Sequence, residues 1–248
     1  MYKNKHIQKG GRKLFAIMVI FFVIFYTFRL PSAYGKDFSS NKKNAENFSA
    51  EKNKSKGEVS IVIYTLERKL CVLVDGKIYK TYRVAVGTFE TPTPIGLFKI
   101  VEKAKWGEGF GSRWMRLSVP WGIYGIHGTN RPSSIGGFAS HGCIRMHNKN
   151  VEELYSMVKV GTKVYIVGGI DGPFTFGFRT LVEGSRGSDV QEVQKRLHNY
   201  GYYSGNFDGI FGWGTKASVI AFQIKNGLRP TGMVDAETYK KLAIFRFE

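Results

Sequence analysis

Residues 70–86 read LCVLVDGKIYKTYRVAV and place two apolar or alternating runs, 70–74 and 77–86, on either side of Asp75-Gly76. Alternation of apolar and polar residues is the period of a β-strand, because successive side chains point to opposite faces. Asp-Gly between two such runs is a strong signal for a two-residue hairpin turn. The stretch therefore predicts a β-hairpin, and with it a domain built on a sheet.

Strand-like runs continue on both sides of this hairpin. Further strands are predicted over 60–64, 97–101, 122–126 and 163–167. One helix is predicted after Asn150, which can act as its N-cap, with an apolar stripe that ends before Gly161. A mostly β, sandwich-like domain is therefore expected over residues 58–168.

Beyond a connector at 169–182, the apolar period changes from two to about 3.6, which is typical of helices. Three helices are predicted: Ser188 caps the first, the second carries an apolar stripe over 217–224, and Asp235 caps the third. A small all-α, three-helix domain is expected over 183–246, so that the fold class is α+β overall.

The helical part also contains a weak internal repeat. Residues 208–215 and 231–238 each place a Gly, two apolar residues and then a helix start that ends in Thr. Such a repeat indicates that the same helix-loop unit occurs twice.

The N-terminal segment has the features of an export signal. Five basic residues precede an apolar run over 14–28, which is shorter than the ~18 residues of a membrane span. Because Ala33-Tyr34-Gly35 is a mediocre cleavage site, residues 1–35 are interpreted as either a cleaved signal peptide or an N-terminal membrane anchor. A Lys-, Asn- and Ser-rich flexible linker over 36–57 follows, and the folded part is expected outside the cytoplasm.

The net charge of +18 is spread unevenly along the chain. Residues 1–57 carry 12 Lys and Arg against 3 Asp and Glu, and the remaining residues carry 25 against 16. The folded part is thus moderately basic, which suits a protein working at a polyanionic surface. No motif of basic residues interleaved with aromatic ones is present there, so nucleic acid is not an expected partner.

Only two cysteines, Cys71 and Cys143, are present. An exported fold that relies on disulfides would use more, so the thiols are interpreted separately. Cys71 lies in an apolar strand and is expected to pack in the core. A Cys71–Cys143 disulfide is kept as an alternative.

Reactive side chains concentrate between His127 and His147, above all in Ser140-His141-Gly142-Cys143-Ile144-Arg145-Met146-His147. A thiol becomes a good nucleophile when an imidazole takes its proton or lowers its pKa. His141 lies two residues from Cys143, on the same side of an extended segment, whereas the fold must bring His127 close. The pattern therefore predicts a cysteine nucleophile with a histidine base.

Neighbouring residues complete the predicted site. Gly142 allows close approach of a substrate, and the amides of Gly142 and Cys143 are candidates to bind an oxyanion. Arg145 can clamp a carboxylate with two hydrogen bonds.

Two alternatives compete with the nucleophile hypothesis. Cys143 is either a small buried apolar residue or part of a zinc set with His127, His141 and His147. Because this set lacks the paired spacing of common zinc sites, no metal is expected. Four aromatic residues are equally compatible with core packing and with the wall of a substrate groove: Trp106, Phe110, Trp114 and Trp121.

The segment 58–167 resembles the catalytic domain of the L,D-transpeptidase family, also called the YkuD type. The resemblance rests on the hairpin at 75–77, the loop at 91–96, the step at 126–129 and the stretch at 140–146. It implies that Cys143 attacks the carbonyl of the third residue of a peptidoglycan stem tetrapeptide, and that D-Ala leaves. Resolution of the thioester by an amine would give a 3→3 cross-link, and resolution by water would make the protein a carboxypeptidase. No cofactor is implied.

The resemblance also assigns roles to residues. His127 would be the base, held by the carbonyl of Gly128, although spacing alone slightly favours His141. The side chains expected to bind the substrate are Asn130, Ser140 and Arg145.

Residues 183–242 similarly resemble the three-helix peptidoglycan-binding module, through the stretches at 187–190, 208–212 and 221–223. Tyr239 stands where many members have Trp. The expected partners are the stem peptides and glycan of peptidoglycan, and the membrane where residues 1–35 remain attached; the protein is expected to be a monomer. A non-catalytic wall-binding protein, and a module for another ligand, are the alternatives.

Overall fold

The computed structural model describes residues 57–107, 111–175 and 177–245. The predicted signal or anchor at 1–35 and the predicted linker at 36–57, except Gly57, lie outside the described residues. Within the described ranges, none of the helices has the length and apolar character needed to cross a membrane.

The described part of the chain contains ten strands. They are β1 (Val59–Tyr64), β2 (Lys69–Val74), β3 (Lys77–Arg83), β4 (Val86–Gly87), β5 (Gly96–Lys105), β6 (Arg113–Leu117), β7 (Gly125–His127), β8 (Phe138–Ser140), β9 (Ile144–Arg145) and β10 (Lys163–Val167). Eight of them form one sheet in the order β3-β2-β1-β10-β5-β6-β7-β9, and β4 pairs with β8. The predicted hairpin is the antiparallel pair β2–β3, in which Val74 lies opposite Lys77.

The strand predictions differ from the structure in their bounds. The predicted strand at 77–86 is interrupted, because β3 ends at Arg83 and Val86 pairs with Phe138 in the small sheet. Strands β6, β8 and β9 were not predicted. All three are short and carry polar residues, so no local period marks them, and the partners of β8 and β9 are distant in sequence.

The core of the β domain lies against alternate residues of the strands. Ile61 and Ile63 of β1 and Val164 and Ile166 of β10 are almost completely buried. Helix α1 (Asn148–Met157) contributes Val151 and Leu154 to the same core. The predicted N-cap at Asn150 is wrong, because the helix begins two residues earlier with His147 as its N-cap.

The C-terminal part is helical, as predicted. It contains α2 (Ser188–Asn199), α3 (Trp213–Lys225) and α4 (Ala236–Lys241), with a short 3-10 helix (Gly172–Phe174) in the connector. Its own core includes Phe211 and Phe222, both almost completely buried. The α+β fold class, with a mostly β domain followed by helices, is therefore confirmed.

Two helix caps test the predicted boundaries. Asp235 caps α4 by accepting a hydrogen bond of 2.9 Å from the amide of Thr238, as predicted. The N-cap of α2 is Gly187 rather than Ser188. The Ser188 hydroxyl instead accepts a hydrogen bond of 2.8 Å from the amide of Ile95, in the β domain.

The internal repeat is organised around two buried glutamines. Gln194 of α2 reaches the following loop, where its Oε1 accepts from the amide of Gly209 at 2.9 Å. Its Nε2 donates to the carbonyl of Ile210 at 3.1 Å and to the hydroxyl of Thr215 at 3.2 Å. The same three contacts recur around Gln223 of α3, with Gly232, Met233 and Thr238. Each Gln therefore fastens the loop that leads into the next helix.

Candidate active site

The sheet brings the two halves of the reactive cluster together. Strands β7 and β9 are parallel neighbours, with Ile126 opposite Ile144 and His127 opposite Arg145. The amide of Met146 donates to the carbonyl of His127 at 2.8 Å, which fixes this register. Paired residues of parallel strands project to the same face, and Cys143 lies two residues before Arg145. His127 and Arg145 thus share one face of the β7–β9 pair, and Cys143 lies immediately before β9, where the Arg145 charge acts on it.

A tight turn before β9 presents the thiol. The buried Ser140 hydroxyl donates to the carbonyl of Cys143 at 2.6 Å and accepts from the amide of Gly142 at 3.1 Å. Gly142 has a φ of 105°, a backbone conformation that favours glycine. A Cβ there would lie 2.6 Å from the ring of Tyr124 and 3.2 Å from the carbonyl oxygen of Pro92. The Gly142 amide can donate a hydrogen bond to a substrate oxyanion only if it gives up its hydrogen bond to the Ser140 hydroxyl.

Burial raises the pKa of the Cys143 thiol above its ordinary value. Two groups oppose this shift, a hydrogen bond from the backbone of Gly125 and the positive charge of Arg145. Because burial is the largest of these effects, the thiol is mostly protonated at neutral pH. The site therefore needs a base at the moment of attack.

The ring of His127 is held in one tautomer. Its Nδ1 lies 2.5 Å from the carbonyl oxygen of Gly128. A carbonyl only accepts, so Nδ1 carries the proton and the lone pair of the neutral ring is on Nε2. The imidazole is almost completely buried, and Trp114, opposite it on β6, packs on it with ring centroids 5.8 Å apart.

Asn148, the first residue of α1, fixes the loop after His127. Its Oδ1 accepts from the amides of Thr129 at 3.1 Å and Ser112 at 3.3 Å. A Cβ at Gly128 would lie 2.2 Å from the same oxygen. Asn148 thus positions the carbonyl that orients His127. Sequence reasoning missed this residue, because nothing near it in sequence indicates its partners across the fold.

Two other predicted site residues, His141 and Asn130, lie at the surface. His141 is exposed and lines a cleft beside Tyr124. Asn130 is exposed in the loop after β7. Tyr124 was also missed; burial and the neighbouring Cys143 raise its pKa, and its ring lies against Gly142.

Both folded parts of the chain are similar to known proteins. Residues 58–166 match the L,D-transpeptidase catalytic domain (YkuD), and residues 186–242 match a putative peptidoglycan binding domain. The putative L,D-transpeptidase YqjB of Bacillus subtilis is 38% identical over 126 residues, which cover 44% of this chain and 72% of YqjB. The chain belongs to the L,D-transpeptidase family.

Two further L,D-transpeptidases are similar over part of their length. The putative L,D-transpeptidase YkuD of Bacillus subtilis is 48% identical over 100 residues, which are 40% of this chain. The chain spans 60% of the length of that relative. A solved structure of an L,D-transpeptidase from Mycobacterium smegmatis has 26% sequence identity and a TM-score of 0.40, covering 44% of this chain and 58% of that chain.

The structure of this member of the L,D-transpeptidase family also bears on the remaining predictions. Cys71 is buried on β2, as predicted, and both cysteines are free thiols, so the alternative disulfide is wrong. Among the described residues, no three His, Cys, Asp or Glu side chains group in a way that would hold a metal ion, so the alternative zinc set does not assemble. Trp114 and Trp121 are buried, Trp106 is partly exposed, and Phe110 lies outside the described residues.

The raised thiol pKa predicts how Cys143 reacts with iodoacetamide. We expect the alkylation rate to be slow at pH 7 and to rise with a midpoint above the ~8.5 of a free cysteine. Arg145→Gln removes a charge that favours the thiolate, so its midpoint moves higher still. Mass spectrometry of the Cys143 peptide measures the rates, with the buried Cys71 peptide as an internal control. A midpoint below pH 7 would mean that the resting site holds a thiolate.

Proposed function

We propose that this chain is a peptidoglycan L,D-transpeptidase with Cys143 as its nucleophile. The donor is a stem tetrapeptide, the leaving group is D-Ala, and the acceptor is a side-chain amine of a neighbouring stem. The observation that carries the proposal is the His127 tautomer, set by the Gly128 carbonyl on a strand in register with the strand that follows Cys143. A lone pair on Nε2 is what a base for the thiol requires.

In the first step, sulfur attacks the carbonyl carbon of the third stem residue while the thiol proton passes to His127. The C–N bond to D-Ala then breaks, and His127 returns the proton to the departing amine. A thioester remains on Cys143. Because the thiol is mostly protonated at rest, proton transfer accompanies the attack.

In the second step, the acceptor amine attacks the thioester carbonyl and gives up a proton, and the C–S bond breaks. The sulfur recovers its proton and the new amide is the 3→3 cross-link. Water in place of the amine gives a carboxypeptidase with the same chemistry.

Arg145 has the charge and position to bind a substrate carboxylate. Its backbone is fixed by two hydrogen bonds of 2.9 Å with Ala85, and its charge acts on the Cys143 thiol. We assign it to the carboxylate of the terminal D-Ala, since guanidinium groups hold carboxylates through paired hydrogen bonds. Ser140 supports the turn, and we place Asn130 and His141 at the rim of the substrate site.

The partner and location follow from both domains. The match of residues 186–242 to a putative peptidoglycan binding domain supports peptidoglycan as the partner. We assign the folded part to the wall or to the outer face of the cytoplasmic membrane, with residues 1–35 as export signal or anchor and 36–57 as linker.

The test is mass spectrometry of disaccharide-tetrapeptide fragments incubated with the purified protein and with Cys143→Ala. Loss of D-Ala together with new 3→3 dimers, both absent with the variant, is the expected result. Loss of D-Ala without dimers would identify a carboxypeptidase. If the fragments are unchanged although the protein is intact and folded, the conclusion is that the chain is a wall-binding protein without this activity.

A further inference from the structure

A cleft with a volume of about 580 Å³ lies between the β domain and the helical part. One wall is the loop from Phe89 to Ile95, with Trp121 and Tyr124 beside it. The other wall is the connector around Phe178 and the beginning of α2. Cavities of this size hold ligands as large as a short peptide or a disaccharide.

The cleft borders the candidate active site. Tyr124 and His141 line it, and the Tyr124 ring lies against Gly142, the residue before the nucleophile. A ligand in the cleft therefore extends away from Cys143 toward the helical part.

Contacts across the junction hold the two walls in place. The amide of Ile95 donates to Ser188 at 2.8 Å, and Ile210 packs against the core of the β domain. The backbone of Gly209 approaches Trp121 so closely that a Cβ would lie 2.4 Å from the indole. The helical wall, which is the connector around Phe178 and the beginning of α2, is thus held in place before a ligand binds.

The helical wall presents an aromatic face without net charge. Phe178 is fixed by stacking on Phe174, with centroids 4.9 Å apart, and by an edge contact with Tyr239 at 5.3 Å. The charges beside it cancel, because Arg179 forms an ion pair with Asp189 at 2.7 Å. Such a wall suits an uncharged ring with an apolar C–H face better than a carboxylate or an ammonium group.

We propose that this cleft binds the sugar end of the donor, with a pyranose ring of the glycan against Phe178. This inference rests on the proposed function. A stem peptide whose third carbonyl reaches Cys143 leads back to its sugar over about 10 Å, at roughly 3.4 Å per extended residue. The cleft reaches from Tyr124 and His141, which neighbour the Gly142–Cys143 turn, to Phe178. The helical part is then a wall of the donor site, and Phe178 and Phe89 are specificity-determining residues.

The test measures binding by calorimetry with the full chain carrying Cys143→Ala. The two ligands are a disaccharide-tetrapeptide and the same tetrapeptide without sugar. We expect the sugar-bearing ligand to bind about tenfold more tightly, and Phe178→Leu to reduce this preference to about twofold or less. Phe89→Ala, a truncation of an exposed side chain on the opposite wall, should also reduce it.

Trp213→Leu is the matched control, since this exposed aromatic residue of the helical part lies outside the cleft and should leave the preference at about tenfold. If Phe178→Leu loosens the helical core, Phe89→Ala still tests the cleft, because Phe89 lies on the opposite wall. Equal binding of the two ligands, or a preference that survives both cleft variants, would overturn the proposal, as would a preference that depends on Trp213. Binding needs no turnover, so this result stands whether or not the wild-type protein releases D-Ala.

Discussion

His127→Ala is expected to lower kcat/KM for D-Ala release by about 10²–10⁴-fold, the usual contribution of general acid–base catalysis. His141→Ala is expected to lower it by less than about tenfold. The difference arises because the Gly128 carbonyl fixes the tautomer of His127, on the strand in register with the one that follows Cys143, whereas His141 is exposed at the cleft. The measurement is steady-state release of D-Ala from a disaccharide-tetrapeptide.

The control for His127→Ala is His127→Gln, which keeps most of the volume beside Trp114 but supplies no base. Both variants should lose activity while circular dichroism shows a folded protein. A larger loss in His141→Ala than in His127→Ala would contradict the assignment and return the base to the residue favoured by spacing alone.

Gly142→Ala is expected to lower kcat/KM by about 100-fold and the free energy of unfolding by about 1–3 kcal/mol. An alanine at a φ of 105° is strained, and its Cβ meets the Tyr124 ring at 2.6 Å. Relieving this strain requires the turn to move, and that movement displaces the Cys143 thiol relative to His127. Small displacements of a reacting group have large effects on rate, so activity falls more steeply than stability.

The matched control for this variant is Gly107→Ala. That glycine lies in the β domain, and a Cβ there would meet no atom of the described residues within 4 Å. Thermal unfolding and D-Ala release should both stay close to wild type. Wild-type activity in Gly142→Ala would show that the turn does not need glycine.

The sequence predicted those parts of the fold that local patterns encode. The hairpin has a clear turn at Asp75-Gly76, and strands β1 and β10 have apolar runs whose alternate residues are buried. Strand β9 has two residues, and its partner β7 lies 18 positions earlier, as Ile126 opposite Ile144 shows. Such pairing is decided by tertiary packing, which no period in the sequence displays.

The residues of the candidate site likewise differ in whether a local sequence pattern reveals them. Cys143 and its neighbours are recognisable because a thiol among His, Gly and Arg is chemically unusual, and the resemblance selected His127 over His141. Asn148 and Tyr124 gave no signal, since their contacts with Thr129 and Gly142 exist only in the folded chain. Gln194 and Gln223 were likewise invisible as the buried centres of the repeat.

The burial of the Cys143 sulfur also bears on how long the protein survives. Peroxides and other oxidants attack the thiolate far faster than the protonated thiol, and the cytosolic thioredoxin and glutathione systems would not reach a protein at the proposed wall location. Because burial keeps the thiol mostly protonated, the sulfur spends most of its lifetime in the form that resists sulfenic acid formation. The same desolvation that slows its reaction with iodoacetamide is a form of chemical durability.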